Sequence, residues 1–473
     1  MSGINIGMKK KPGLLIPVEN QVRELDAKLL LACIAAGRGL TSIVGSKREI
    51  EERIGSFPKS IYLAKSLLPG HRKFFKIAKK LGHLITAWDE DALVHLPNDV
   101  YYSRRLSEAS LACVSHLFAW GEDNAELWRQ YPHLPKNMPI HVTGNPRNDL
   151  LRSEIRAYYG EDVKKIKERF GSFILINTNF NHVNAFSPIR RLFMPPEKPG
   201  ERPKFGRAAR GMTREYAEGL RTHKQALFER FKEMIPALGL TFPEETILIR
   251  PHPVEGQDDY KKIAAKCKNV VVCNQGNVVP WLMACKAVVL NGCTTSVEAY
   301  AMGVPCISYR INVDDNYDLG FYRLPNTLSH QCFDFDELEE RLRQILDGRI
   351  GIVNNDEAHR VIAQHLTAYE GPLACERIIR VLEKEVSNLD RYPQPPIKER
   401  LDGWLKARKR RKRRLAKLQK ADATKSIAHH RKKNPEISSN EIRVRIEKFR
   451  KVLGKEKNIR VNKIHRLIFK ISA

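Results

Sequence analysis

The chain has 473 residues, 42% of them hydrophobic, with a formal net charge of +28. That length suits two domains and an appendage with real cores. No run of ~18 apolar residues occurs, so no transmembrane helix is expected, and no apolar stretch follows the lysines of residues 1–11, so no signal peptide is expected either.

The charge is unevenly spread. Arg391 to Ala473 holds 28 Lys+Arg against 7 Asp+Glu, a net of +21, which leaves +7 for the first 390 residues. The nine cysteines form no CxxC pair, and most lie in apolar surroundings, which suits reduced, buried thiols and a cytoplasmic protein.

In chain order, Gly13 to Pro17 reads as a strand, Val18 to Asp26 as a polar loop, Ala27 to Ala36 as an apolar helix and Leu40 to Val44 as a second strand. This is a β-α-β opening of a parallel sheet. Further strands are expected at Lys59 to Lys65, Gly82 to Ala87, Ser115 to Ala119 and Ile140 to Thr143. Together they predict one doubly wound α/β domain over residues 12–150. Leu150 to Phe170 reads as a charged helical connector. Phe173 to Ile176 then opens a second sheet, and Ser187 to Gly211, rich in Pro, Arg and Gly, reads as an inserted mobile loop. Met212 to Leu238 is a predicted helix. Strands are expected at Thr246 to Ile249, Asn269 to Cys273, Ala287 to Leu290 and Cys306 to Tyr309, with helices at Phe335 to Leu346 and Leu373 to Ser387. That gives a second domain over residues 151–387. Beyond it, residues 388–473 read as a basic helical tail, with helices at Lys398 to Lys420 and Ile442 to Ile468. Its removal is expected to leave the domains folded. No GxGxxG or Walker motif appears, which disfavours a dinucleotide or ATP engine.

Two strand ends stand out. Glu245 to Asp259 reads ETILIRPHPVEGQDD, and Val288 to Tyr309 reads VVLNGCTTSVEAYAMGVPCISY. Each is an apolar run that stops in a polar turn, the second leading into a helix that Gly303-Val304-Pro305 ends. In open parallel sheets this edge binds ligands, and free N–H groups at a helix start favour an anion. RPHP followed by NGCTTSVEAYAMGVP resembles the C-terminal half of a GT-B glycosyltransferase, in the group with an HP motif and a Ser/Thr motif. That group includes sialyltransferases, Kdo transferases and teichoic-acid polymerases. Within it the chain is most similar to the bacterial surface carbohydrate biosynthesis family, over roughly residues 12–385.

The resemblance implies two Rossmann-like domains with a cleft between them and a nucleotide-sugar donor, CMP- or CDP-activated in that group. No other cofactor and no metal is expected. His252 is expected to donate to the leaving phosphate and Arg250 to add charge, although a histidine capping a strand end is the plainer reading. Asn291, Thr294, Thr295 and Ser296 are expected to hold phosphate or to cap the helix. Glu298 is placed by the resemblance at the ribose, with compensation of the helix dipole as the alternative. Asn177 and Asn179 either contact the donor or form a turn. Asp89 and Glu90 are the candidate bases, against a solvated acidic loop; Ala92 stands where related motifs carry glycine. Glu19, Arg23, Asp91 and Asn145 are weaker candidates for the acceptor, which is expected to be a glycan or lipid-linked glycan.

The expected activity is inverting, metal-independent transfer of an acidic sugar from a CMP-linked donor in surface-polysaccharide assembly. Rivals are a CDP-polyol phosphotransferase, a nucleotide-sugar epimerase of the same fold, and a nucleic-acid-binding protein acting through Arg408 to Arg414. The last is disfavoured because the tail lacks interleaved aromatics. The tail's charge and thin apolar seam suit an anionic membrane surface, the inner face of the cell membrane.

Overall fold

The computed structural model describes residues 13–473 except 197, 199, 319–322, 419–429, 432 and 456. Its strands are β1 (Leu14–Val18), β2 (Ser42–Ser46), β3 (Ile61–Ala64), β4 (Leu84–Ala87), β5 (His116–Ala119), β6 (Ile140–Val142), β7 (Phe173–Asn177), β8 (Thr246–Arg250), β9 (Val270–Val272), β10 (Ala287–Leu290), β11 (Cys306–Tyr309), β12 (His330–Cys332), β13 (Arg460–His465) and β14 (Ile468–Ser472). They form an eight-stranded sheet, β13-β14-β2-β1-β3-β4-β5-β6, and a six-stranded sheet, β12-β11-β10-β7-β8-β9. The two Rossmann-like α/β units expected are both present. Among the described residues no helix is long and apolar enough to cross a membrane.

The division of the chain differs from the expected 12–150, 151–387 and 388–473. One compact unit contains the stretch ending at Leu93, Asn98–Leu150 and Gln364–Ala473; the other contains Val94–Pro97 and Leu151–Ala363. The C-terminal segment is therefore built into the first unit. The helix Gln21–Gly37 shows why. Its Leu29 to Ala36 run is apolar on every side and buried throughout, which needs cover on more than the sheet face. The helices Ala374–Asn388 and Ser439–Val452 supply that cover. Asp149, fully buried, accepts from the N–H groups of Ala374 (2.7 Å) and Cys375 (2.8 Å) and so caps the first of them.

The expected long helix to Ile468 is corrected. The helix stops at Val452, Gly454 takes φ +60°, and a β-hairpin follows. β14 pairs antiparallel with β2, Phe469 opposite Val44 and Ile471 opposite Ser42. Gly45 is required there, because a Cβ would lie 2.2 Å from the Leu467 carbonyl oxygen. The helix Ile397–Leu418 lies against the helix Arg72–Lys80 through Gly403, and Ala407 packs near Gly55.

In the second unit β7 to β12 are all parallel. Ile174, Ile176, Ile249, Val289 and Ile307 meet Phe231, Ile235 and Leu238 of the helix Arg214–Thr241 in one core. β12 was not expected, since His330-Gln331-Cys332 carries little apolar signal. The segment read as a mobile insertion packs instead: Leu192, Phe193 and Ala209 are buried with Ala217 and Leu220, and Phe193 bridges to Phe205. All nine cysteines are free thiols, seven of them buried.

Candidate functional site

In the second unit the chain runs β7, β8, β9 outward on one side and β10, β11, β12 on the other. The strand order reverses between β7 and β10, the switch point where a crevice opens at the carboxyl ends of a doubly wound sheet. Asn177 ends β7, with Arg250 and Leu290 as its neighbours in register. Asn291 follows β10 directly. Asn177 (5% exposed) and Asn291 (9%) each hold an Oδ1 that is buried without a hydrogen-bond partner in the protein. Native structures rarely leave such atoms unpaired, and a ligand hydroxyl or amine would satisfy them.

β8 ends where Pro251 and Pro253 remove ladder donors. Half-buried His252 lies between them. The Val254 N–H donates to His252 Nδ1 (3.3 Å), so the neutral ring carries its proton on Nε2 and presents a donor there. Gly292 takes φ +70°, which lets the chain turn sharply from β10 towards the helix Thr295–Ala301. Thr294 and Thr295 stand half-buried at that turn, and the Thr294 side chain makes no cap bond.

Other expected donor contacts are engaged in the fold. Arg250 is buried, donating to the carbonyls of Gln275 (2.8 Å) and Gly276 (2.5 Å) with its guanidinium over Trp281; burial lowers its pKa to about 10. It anchors the loop after β9 through these two bonds. Ser296 is fully buried and donates to the Cys293 carbonyl (2.9 Å). Asn179 accepts from Asn181 Nδ2 (2.8 Å), the turn-forming alternative. Glu298 is buried on the first turn of its helix.

Glu255 carried no sequence signal and is the unit's most unusual carboxylate. At 3% exposure it accepts from the Tyr260 hydroxyl (2.7 Å), the Phe180 N–H (2.9 Å), the Thr178 hydroxyl (3.0 Å) and, longer, the His252 N–H (3.4 Å). It thus ties the loop after β7 to the loop after β8. Burial pushes its pKa up to about 7 against the pull of these donors. A carboxyl raised from about 4.5 in the unfolded chain binds more protons folded than unfolded between those two values. Stability should therefore rise as pH falls from about 8 to 5, by up to a few kcal/mol. Glu255→Gln should remove that dependence while keeping the fold. Its carbonyl can face the two N–H groups and its amide the two hydroxyls, which can rotate to accept. Melting curves of both proteins across this range check it.

In the first unit the order reverses between β1 and β3, and charges fill that switch point. Glu24 accepts from Lys65 (2.7 Å), Lys28 (3.1 Å) and the N–H groups of Glu19 and Asn20. Burial disfavours its charge, but the two ammonium groups hold its pKa far below the usual range. Glu19, against the same burial penalty, is held low by Lys65 (3.4 Å), Lys47 (3.5 Å) and Lys433 (3.4 Å).

Both candidate bases are engaged within the fold. Asp89 is fully buried and receives Arg105 in a two-pronged bond, the Tyr101 hydroxyl (2.9 Å) and the Asp91 N–H (3.2 Å). The helix Asn98–Arg105 delivers both partner side chains. Every acceptor site on the carboxylate is occupied, which leaves Asp89 poorly placed to take an acceptor's proton. Glu90 is buried between the Trp88 indole N–H (2.7 Å) and Lys28 (3.4 Å). Asp91 is the exposed member, 45% by side chain, facing Arg105 (3.2 Å) and Arg23 (3.6 Å). Partial desolvation opposes its charge, but Arg23, Lys65 and Arg105 keep its pKa below the usual range. Asn145 is the N-cap of Pro146–Asp149, accepting from the Arg147 N–H (3.0 Å), with its Nδ2 buried and unpartnered.

No protein-family model matches the sequence, and no curated protein matches it. Solved structures do. A variant of the wall teichoic acid polymerase TagF soaked with CDPG is 11% identical, with a TM-score of 0.47 over 80% of this chain and 89% of that one. UDP-GlcNAc 2-epimerase from Neisseria meningitidis, bound to UDP-GlcNAc, is 13% identical, with a TM-score of 0.46 over 79% of this chain and 100% of that one. The Methanocaldococcus jannaschii UDP-GlcNAc 2-epimerase in complex with UDP-GlcNAc and UDP is 13% identical, with a TM-score of 0.44 over 79% and 99%. With every score below 0.5, the roles assigned to residues rest on this chain's own geometry.

Proposed function

We propose that the protein is a glycosyltransferase of bacterial surface-polysaccharide assembly. It moves an acidic sugar from a CMP-activated donor to a glycan or lipid-linked glycan, with inversion and without a metal. The observation that carries the reading is the set of groups at the β7/β10 switch point: two buried, unpartnered amide oxygens beside a histidine with its donor nitrogen defined by Val254. Amide oxygens want hydroxyl or amine donors, which a nucleoside supplies. A ring N–H and the Thr294 and Thr295 hydroxyls want phosphate oxygens. The motifs around His252 and Thr295 that resemble the HP and Ser/Thr group support the same reading.

In the reaction the bond between the sugar's anomeric carbon and the phosphate oxygen breaks, and charge builds on the departing nucleotide. His252 donates to that oxygen, and the hydroxyls and backbone N–H groups of the 292–295 turn share the charge. In the first unit, Asp91 replaces Asp89 and Glu90 as the carboxylate proposed to receive the acceptor's proton. The test is a nucleotide-release assay with CMP-, CDP- and UDP-linked donors, with EDTA present and absent. CMP release that survives EDTA and falls at least tenfold in Asp91→Asn, with the melting temperature kept, is the expected result. CDP-polyol turnover, UDP-sugar isomerisation without release, or loss to EDTA reversed by a divalent ion would overturn it.

A further inference from the structure

The helix Ile397–Leu418 carries two different surfaces. Gly403, Ala407, Arg410 and Arg414 face inward, and the last two spend their charge on buried Glu51 (2.7 and 2.9 Å). On the opposite side Ile397 (83% exposed), Leu401 (56%), Leu405 (53%) and Leu415 (44%) form a seam at helical spacing. Arg408 and Lys412 stand in the same outward strip. Beside it, a groove of about 470 Å³ separates this helix from Arg72–Lys80. Apart from Ile77, all its lining side chains are lysine or arginine, so aliphatic stems make its walls and cations its rim. Lys80 and Lys406 share the single carboxylate of Asp402 (2.6 and 2.8 Å), whereas Lys73, Lys76, Lys409 and Arg413 form no ion pair among the described residues.

We infer that this face, the outward seam of Ile397–Leu418 with the cationic groove beside it, docks the protein on an anionic phospholipid bilayer. Leucines exposed in a row cost solvation in water and gain it at the acyl boundary. Unpaired ammonium and guanidinium groups flanking them meet lipid phosphates at headgroup level. A nucleic acid would use the cations and leave the leucine seam in water, so the seam selects the lipid. This placement does not depend on the nucleotide reading, since none of these residues belongs to either switch point.

The test uses the full chain and vesicles of phosphatidylcholine with or without phosphatidylglycerol. Binding should require phosphatidylglycerol and weaken with salt. Leu401→Ser with Leu405→Ser should weaken it at least tenfold, and so should Lys409→Gln with Arg413→Gln. All four positions are exposed, so each melting temperature should stay within a few degrees. Trp404 is 42% exposed while the other four tryptophans are buried. Bound vesicles should therefore shift the emission of wild type to the blue and leave Trp404→Phe unshifted. Absence of binding to anionic vesicles overturns the inference. So does binding that the leucine pair does not affect, or loss only in the charge variant with competition by single-stranded RNA.

Discussion

Deleting residues 460–473 should unfold the first unit at ordinary temperature. The hairpin looks like an appendage in sequence, yet β14 forms the ladder next to β2, and Val461, Leu467, Ile468, Phe469 and Ile471 are all buried. Burying side chains of this kind is worth about 1.5–3 kcal/mol each. Five of them equal or exceed the ~5–15 kcal/mol by which a whole domain is stable. The deletion also bares the edge of β2, a buried strand whose free N–H and C=O groups would then template aggregation. Circular dichroism melts should show loss of the first unit's transition, with the truncated chain prone to precipitate. A truncated protein melting within a few degrees of the full chain would show that the hairpin only rests on the sheet.

His252→Ala should lower turnover by a factor on the order of 10²–10³, the usual loss when one preorganised donor to a developing charge is removed. The binding of free nucleotide should change far less, because the charge His252 meets grows as the bond breaks. The side chain is half-buried and the Val254 N–H it receives can turn to water, so the fold should survive. Single-turnover kinetics with a nucleotide titration separate the two effects. Equal losses in turnover and in nucleotide affinity would make His252 a binding group only, and full activity would remove it from the chemistry.

The parallel strands β1 to β11 were legible because they are short apolar runs, and parallel strands buried on both faces read that way. The hairpin was not. Lysine, arginine and histidine occupy most of its outer positions, and its Leu467 and Ile468 read as the end of the apolar series Ile446, Phe449, Val452 and Leu453. Gly454, a helix stop at φ +60°, was the signal passed over. The site was legible in position and less so in role. Asn177, Asn291 and His252 lie at strand ends, where the chain pattern puts them. Asp89 looked like an open carboxylate because Tyr101 and Arg105 are twelve and sixteen residues further on. Nothing local shows that they fold back over it. Arg250 looked like a phosphate ligand for the same reason: its partners are carbonyls twenty-five and twenty-six residues away. Glu255 hid in a polar loop, since four donors from three segments meet only in the folded unit.

On the proposed reading, the β7/β10 switch point would hold a cytidine nucleotide through Asn177 and Asn291. The most direct measurement is a thermal-shift titration of CMP, CDP, UDP and GDP against wild type, Asn177→Ala and Asn291→Ala. Each substitution deletes a buried oxygen that lacks a partner in the protein, so the melting temperature without ligand should hold or rise. The shift induced by CMP should be the largest of the four in wild type. It should shrink in each variant by the equivalent of about fivefold in affinity, one lost hydrogen bond of about 1 kcal/mol. Variants that melt lower without ligand yet keep the full CMP shift, or a wild type that responds to UDP or GDP and not to CMP, would contradict the claim.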